Sequence, residues 1–501
     1  MRMKMTKFLR LAQLHQLLQL TRRRSSIGFV LALCLGACAQ LPEMTPRSTV
    51  REPASLGLDN RVSAPVLAQQ WWLAFGDDQL SALIEQALQA NPNLKLVQTR
   101  VARARAGVTL ADSASQLQVN AQLDATRQQF TKNGIYPPPL AGSVLDMGTL
   151  QLGASWELDF FGKNSAALAA ALGGAQAAAA DAQAARLMLA VQVTRAYFQI
   201  LRLNEQLSLA KRTVAQRQEI LTLVQARVEA GLDTRLELRQ SEGGVPEARL
   251  QLEVLQEQLS LATHALAALT GQSQAMTAIR PVALSSIRTG ALNPVIPADL
   301  LARRADVTAA RWRVEAGVND VANARTMFYP NVNLVAFAGY SSIGLDRLTE
   351  NGSQQWGVGP AIRLPLFDGD RLRANLRGKA ADLDAAIESY NATVLDAVRD
   401  VADQVASVQS LARQQEEQAA SSQAIEHAYQ IAQQREQAGL ISTLQVLAAE
   451  TPWLAQRRLN VDLRARTLEN QLSLMRALGG GYVPETDPAA AKAVALQSSQ
   501  P

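Results

Sequence analysis

One stretch limits what this chain can become. From Ser165 to Ala230 there is no proline, and the only glycines are Gly173 and Gly174. At ~1.5 Å per residue such a run gives a helix of roughly 100 Å, against an ordinary helix of about 11 residues. A helix this long belongs to a coiled coil, a membrane span or a helical repeat. Charges at Asp181, Arg186, Arg195, Arg202, Glu205, Lys211 and Arg212 exclude a membrane span. After AGLDT at Ala230–Thr234 a second helix returns to about Thr270, with Gly243-Gly244 and Pro246 predicting a break near its start. The pattern is a long antiparallel hairpin turning at Gly231. Lacking a domain to bury in, it must lie against its neighbours or against copies of itself. Aromatics make up only 5% of the chain, so the packing must come from small side chains at close approach.

The plan is duplicated. RVEAGLDTRLELRQSE from Arg227 aligns with REQAGLISTLQVLAAE from Arg435, and Phe160-Phe161-Gly162 with Phe367-Asp368-Gly369. The first copy covers about 71–271 and the second about 298–483, with a proline-bearing connector at 272–297. In the first copy a broken helix over WWLAFGDDQL and beyond continues as a longer one, about Asn93–Ala114. In the second the matching helix is expected over Ala298–Phe328. The hairpins are expected at 165–270 and 370–478, the second turning at Gly439. Each return helix is far shorter than its long partner. The helix preceding the strands is expected to lie end to end with it and make up the length.

Four stretches change period from helical to two. They lie at about 116–127, 149–160, 331–340 and 355–366. Leu117, Val119, Ala121 and Leu123 alternate with Gln118, Asn120 and Gln122; Leu150, Leu152, Ala154 and Trp156 alternate with polar residues in the second. Strands of this length cross a bilayer when tilted. Four strands cannot close a barrel, and an open edge in lipid leaves backbone groups unpaired. Several chains must therefore share one barrel, apolar faces to lipid and polar faces to water.

The N-terminus stands apart. Residues 1–37 hold seven basic residues and no acid, followed by an apolar run too short to span a bilayer, IGFVLALCLGAC. Leu35-Gly36-Ala37-Cys38 resembles a bacterial lipobox, which implies cleavage before Cys38 and its acylation; Ala39 favours outer-membrane sorting. Losing residues 1–37 takes the net charge from +5 to −2, so the basic balance is no argument for nucleic acid. One cysteine then remains, which rules out a disulfide within the chain. Residues 38–70 read as a linker and 484–501 as a disordered tail.

WWLAFGDDQL at Trp71, SWELDFFGK at Ser155, VTRAYFQILRLNEQLSLA at Val193, IPADLLARRADVTAARWRVEAGVNDVANARTMFYPNVNL at Ile296 and LPLFDGDRLRANL at Leu364 complete a set with LGAC. Together they resemble the TolC-like outer membrane factors, in particular the NodT/OprM-type efflux lipoproteins, over roughly 71–483. The resemblance implies a mainly α fold with a small β part. It implies a homotrimer whose helical hairpins form an α-barrel tunnel in the periplasm, with a shared twelve-stranded transmembrane barrel. It also implies the role of exit duct in a tripartite pump, beside a periplasmic adaptor and an inner-membrane transporter, in the outer membrane of a Gram-negative bacterium. Adaptor contact is then expected at the turns, Gly231, Leu232 and Thr234, and Gly439, Leu440 and Ser442. The periplasmic gate is expected near Arg235, Glu237, Leu444, Gln445 and Leu447. Two departures stand out: Arg304-Ala305-Asp306-Val307 replaces the usual RPDI, and the second turn lacks the usual acids. Pro452, like Pro246, predicts a kink near the tip.

No catalytic pattern competes. His15, His264 and His427 stand apart with no metal spacing, and GKNS at Gly162 lacks the upstream glycine of a phosphate loop. The expectation is a passive conduit for small toxic compounds, with no cofactor, no metal and no enzyme activity. The rivals are an exit duct for secreted polypeptides and a lipoprotein scaffold bridging membrane and cell wall.

Overall fold

The computed structural model describes residues 47–51, 68–272, 279–289 and 303–482. The expected signal, Cys38, parts of the linker and connector, and the tail lie outside them. A 3-10 turn, Trp71–Phe75, leads into α1 (Asp78–Ala90) and α2 (Pro92–Ser113). Strands β1 (Gln118–Gln129) and β2 (Val144–Leu158) precede the long helix α3 (Lys163–Glu229) and its return α4 (Arg235–Thr270). The second copy gives α5 (Ala305–Thr326), β3 (Asn331–Ile343), β4 (Gln354–Arg363), α6 (Arg371–Gln437) and α7 (Thr443–Ala477). The long helices α3 and α6 have 67 residues each, and α2 and α5 have 22 each.

The described residues form two compact units, and these are not the two repeats. One takes 106–172 and 315–385, with the sheet; the other takes 68–105, 173–314 and 386–482. Each draws on both copies. A repeat that cannot bury its apolar faces alone has to share a core with its twin.

In the sheet unit the strands run in the order β1-β2-β3-β4, every neighbour antiparallel. The strand-to-helix junctions are capped alike. Asp159 accepts from the amides of Asn164 (3.0 Å) and Ser165 (2.8 Å), and Asp368 from that of Leu372 (2.9 Å). These carboxylates satisfy first-turn amides that have no helical partner.

The helical unit holds the main core. Trp71, Trp72 and Phe75 pack with Leu80, Ile84, Tyr197, Phe198 and Leu201, and with Leu468 and Leu472 of α7. Asp77 caps α1 through the amide of Leu80 at 3.0 Å and accepts from the Tyr197 hydroxyl at 2.7 Å. Burial first, and then this carboxylate, push the Tyr197 phenol well above its usual range.

Four expectations need correction. Helix α5 starts at Ala305, not near 298: the carbonyl of Arg304 accepts the first helical bond, from Thr308, and Asp306 accepts from the amide of Val307. It is therefore no longer than α2, and in both copies the strand-preceding helix and the return helix together are shorter than the 67 residues of the long helix, residues 298–302 lying outside the described ones. Helix α4 runs unbroken through Gly243, Gly244 and Pro246, against the expected break, and α7 likewise continues through Pro452. The cost of an interior proline is met by packing on either side, with Val245 and Ala248 buried beside one and Glu450 and Leu454 beside the other. Strand β2 begins at Val144, because its pairing with β1 extends to Gln129. Strand β4 ends at Arg363, which stands opposite Asn331, the first residue of β3.

Candidate conduit wall and hairpin turns

The register sorts the sheet into two faces. Val119, Ala121 and Leu123 of β1 stand opposite Ala154, Leu152 and Leu150 of β2. Those stand opposite Ala336, Ala338 and Tyr340 of β3, and Ala336 and Ala338 stand opposite Val358 and Trp356 of β4. The apolar face is thus continuous across all four strands. It is uncovered in the single chain, with Leu123 69% and Trp356 79% exposed. A contiguous apolar patch of this kind marks a membrane or protein contact. The strands β1 and β4 are outermost, and their outer edges are unpaired among the described residues.

The opposite face carries Gln118, Asn120, Gln122 and Asp124 on β1 and Gln151, Ser155 and Glu157 on β2. Across β3 the side chain of Gln355 donates from Nε2 to Oε1 of the Gln151 side chain at 3.1 Å, over Gly339. A side chain at 339 has no room, since its Cβ would fall on the Leu150 carbonyl. One aromatic interrupts this face, Phe337, in the same register row as Asn120, Gly153 and Gly357.

The hairpin turns repeat one geometry. Gly231 and Gly439 have φ 73° and 72°. The amides of Leu232 and Leu440 each reach back five residues, to the carbonyls of Arg227 and Arg435, at 2.8 Å. This is a Schellman ending, whose left-handed residue is normally glycine. The two leucines are each 68% exposed. Thr234 caps α4 through the Leu236 amide at 3.2 Å. Ser442 caps α7 in a capping box with Gln445, whose carbonyl accepts from the Ser442 amide at 3.1 Å.

The residues expected at the gate do not share one environment. Arg235 and Gln445 are exposed, and Glu237 and Leu444 half-buried. Leu447 is buried inside the chain, and its carbonyl accepts from Gln216 at 2.8 Å. One carboxylate oxygen of Glu237 is buried and has no hydrogen-bond partner.

Sequence reading missed the clamp beside Leu447. Arg212 of α3 donates from Nε to Glu450 Oε1 at 2.7 Å and from Nη2 to Oε2 at 2.9 Å. It also reaches Glu219 at 3.0 Å. Glu450 is only 2% exposed, and its hydrogen bond leads the causes that raise the Arg212 pKa. Glu450 is the repeated glutamate of the second copy, but its partner lies 238 residues away, out of reach of any local pattern. A second cluster sits at the start of α5. There buried Arg304 grips Asp306 at 2.6 Å and reaches Asp400, which also accepts from Arg476. Burial pushes the Asp306 carboxyl up, and Arg304 more than offsets it, leaving it below the usual 3.8.

Among the described residues no cluster could hold a metal ion, and no helix is long and apolar enough to cross a membrane. What the described residues do provide is an amphipathic sheet with free edges and two long hairpins with exposed turns.

The family described as outer membrane efflux protein matches residues 83–272 and 296–480, the two repeats in turn. The multidrug resistance outer membrane protein MdtP of Escherichia coli strain K12 is 35% identical over 422 residues, 82% of this chain and 86% of its own. MdtQ of Escherichia coli O157:H7 is 32% identical over 470 residues, 91% of this chain and 97% of its own. Among solved structures, the outer membrane protein VceC of Vibrio cholerae superposes with a TM-score of 0.75 at 34% identity, over 84% of this chain and all of its own. With both repeats matched and these relatives covered almost end to end, the chain belongs to the outer membrane efflux protein family.

Proposed function

We propose that this chain is one of three subunits of the exit duct of a tripartite pump, and that it conducts drugs or other small toxic compounds passively across the outer membrane. The observation that carries the reading is the four-stranded sheet with one continuous apolar face and two unpaired edges. In lipid each edge must find a partner strand, and β1 of one copy against β4 of the next supplies it. Three copies close a barrel of twelve strands, apolar outside and polar within. The multidrug resistance named for MdtP and MdtQ favours small compounds over polypeptides as cargo.

The long hairpins extend the duct into the periplasm. Their turns, with Leu232 and Leu440 bare to solvent, meet a periplasmic adaptor that links the duct to an inner-membrane transporter. Arg235, Glu237, Leu444 and Gln445 lie where a closed end would form, and Leu447 supports it from within the chain. Acylated Cys38 holds the N-terminus in the membrane.

Deleting the gene tests the reading. Retention of dyes, antibiotics and aromatic acids is expected to rise while protein secretion stays normal, and outer-membrane extracts of the parent should yield a heat-modifiable trimer. Stalled secretion of a large protein with normal drug efflux would make the chain a polypeptide duct. A monomer in the extract would leave the scaffold reading.

A further inference from the structure

Phe337 stands at the seventh of the thirteen positions of β3, midway along the sheet. It is the only aromatic on the face that carries Asn120, Gln122 and Gln151. The aromatics Trp156, Tyr340 and Trp356 all fall on the apolar face. Of the glycines around it, Gly357 is the one the ring lies over, while Gly153 faces the Asn120 side chain and Gly339 the Leu150 backbone. Its register partners on both sides are glycines, Gly153 and Gly357, and the next same-face residue of its own strand is Gly339. A Cβ on Gly357 would sit 2.7 Å from the ring's Cε1 and 2.9 Å from Cζ. The ring therefore leans along the sheet over Gly357 and remains 38% exposed. Glycine inside a strand weakens it unless something needs the close approach, and here the ring needs it. The arrangement holds an aromatic surface against a polar wall without raising it far from that wall.

We propose that Phe337 is a specificity-determining residue of the conduit, a contact site for planar aromatic cargo seated over Gly357. Three copies place three such rings at one level of the barrel. Aromatic solutes gain ring-to-ring contact there, beyond what the flanking amides and hydroxyls offer. Cargo without a ring passes the same level unretarded. The inference rests on the reading that the polar face lines the lumen.

The test uses the purified full-length protein in planar lipid bilayers. Ethidium serves as a planar aromatic probe and tetrapropylammonium as a cation without a ring. Ethidium is expected to block the wild-type current. Phe337→Ala and Phe337→Leu should raise its half-blocking concentration about three- to tenfold, and Phe337→Trp should keep it low. Tetrapropylammonium should act equally on all four. Leucine keeps apolar bulk and loses only the ring, so it carries the test should the alanine variant fail to insert. Gly357→Val should drive the ring off the wall and lower the open conductance.

Thiol labelling separates the two levels of the argument. Gln122→Cys and Leu152→Cys are treated with a charged, membrane-impermeant thiol reagent and compared with the unsubstituted protein. Labelling and blockade at Cys-substituted position 122, but not at 152, supports the lumen assignment. If ethidium block is then absent in wild type, or unchanged in Phe337→Ala and Phe337→Leu, the role of Phe337 is overturned and the lumen stands. The reverse labelling pattern overturns both.

Discussion

At the first hairpin Gly231 turns with φ 73° and at the second Gly439 with φ 72°, each followed by a leucine exposed to the same degree. Fifteen residues after each of the matched arginines, Arg227 and Arg435, comes a glutamate, Glu242 and Glu450. There the two hairpins part. Glu242 pairs with Arg239 of its own helix, at 2.7 Å and largely in water. Glu450 is buried and held at both oxygens by Arg212 of α3, the long helix of the other hairpin. The residue matching Arg212 in the second copy is Ala420, so the clamp cannot be made twice. Duplication repeated the backbone, and a single arginine made it asymmetric: the second return helix is fastened to the first hairpin, and the first has no such fastening at the matching position. For the closed end proposed above, α4 and α7 would then differ in what they must give up to move.

The largest effect should come from that clamp. Arg212→Ala leaves Glu450 buried without its counter-charge. Breaking a buried pair costs about 3–5 kcal/mol, and the half-solvated Arg212 end brings the expectation to about 2–3 kcal/mol. Amide exchange along α7 around Leu447–Leu454 should quicken about thirty- to a hundredfold. Arg239→Ala, which opens a surface pair, should change the matching part of α4 by less than about 0.5 kcal/mol. Equal effects in the two variants would mean that the Arg212–Glu450 pair holds α7 no more firmly than a surface pair holds α4.

Next come the turns, where the hairpins should behave alike. Valine at Gly231 or Gly439 must adopt a left-handed backbone, at ~1–2 kcal/mol, although nothing crowds either position. Both variants should lose adaptor cross-linking and drug export to a similar degree while the trimer still forms. Normal cross-linking and export in Gly439→Val would remove the turns from the adaptor footprint.

Much of this was legible in the sequence because it depends on periods and punctuation. The proline-free run gave α3 to within two residues, and the shift from period 3.6 to 2 gave the four strands. Gly231 and Gly439 marked the turns because a Schellman ending favours glycine. What stayed hidden depends on partners far along the chain. Glu450 was visible as a repeated glutamate, yet only the packing of α7 on α3 shows that Arg212 holds it. Leu447 reads as a free apolar residue near the tip, yet it is buried, and its carbonyl accepts from Gln216 of α3. Gly243-Gly244 and Pro246 predicted a break in α4 because local cost was all that could be seen, while the buried residues flanking Pro246, Val245 and Ala248, sit in a continuous helix. Phe337 did leave a signal, an aromatic out of phase in NVNLVAFAGY, but the glycine it lies over, Gly357, comes from β4.

The caps give a smaller contrast. Thr234→Ala removes one side-chain bond at the start of α4, and Gln445→Ala one half of the capping box of α7. Each should lower stability by about 0.5–1 kcal/mol, read as fraying of the first turn in amide exchange. A loss confined to one hairpin would mean that the adjoining turn, not the cap, fixes the helix start there.

The smallest effect sharpens a parallel difference between α2 and α5. Asn91 starts α2, accepting from the amides of Asn93 at 2.9 Å and Leu94 at 3.2 Å, and it cannot titrate. Asp306 serves the start of α5 and is held by Arg304 below its usual 3.8. A carboxyl whose folded value is depressed contributes stability above its unfolded value and loses it as pH falls through the folded one. The contribution of Asp306 is therefore complete above about pH 4 and disappears on further acidification, whereas that of Asn91 does not change. Because the Asp306 side chain is 42% exposed, solvent screens the pair and the effect stays modest. Unfolding midpoints followed from pH 6 to pH 3 should show a shallower acid slope in Asp306→Asn than in wild type, and an unaltered slope in Asn91→Ala despite its lower midpoint. An identical slope in Asp306→Asn would mean that Arg304 is neutralised chiefly by Asp400, and that the start of α5 is held from α6 and not from its own first turn.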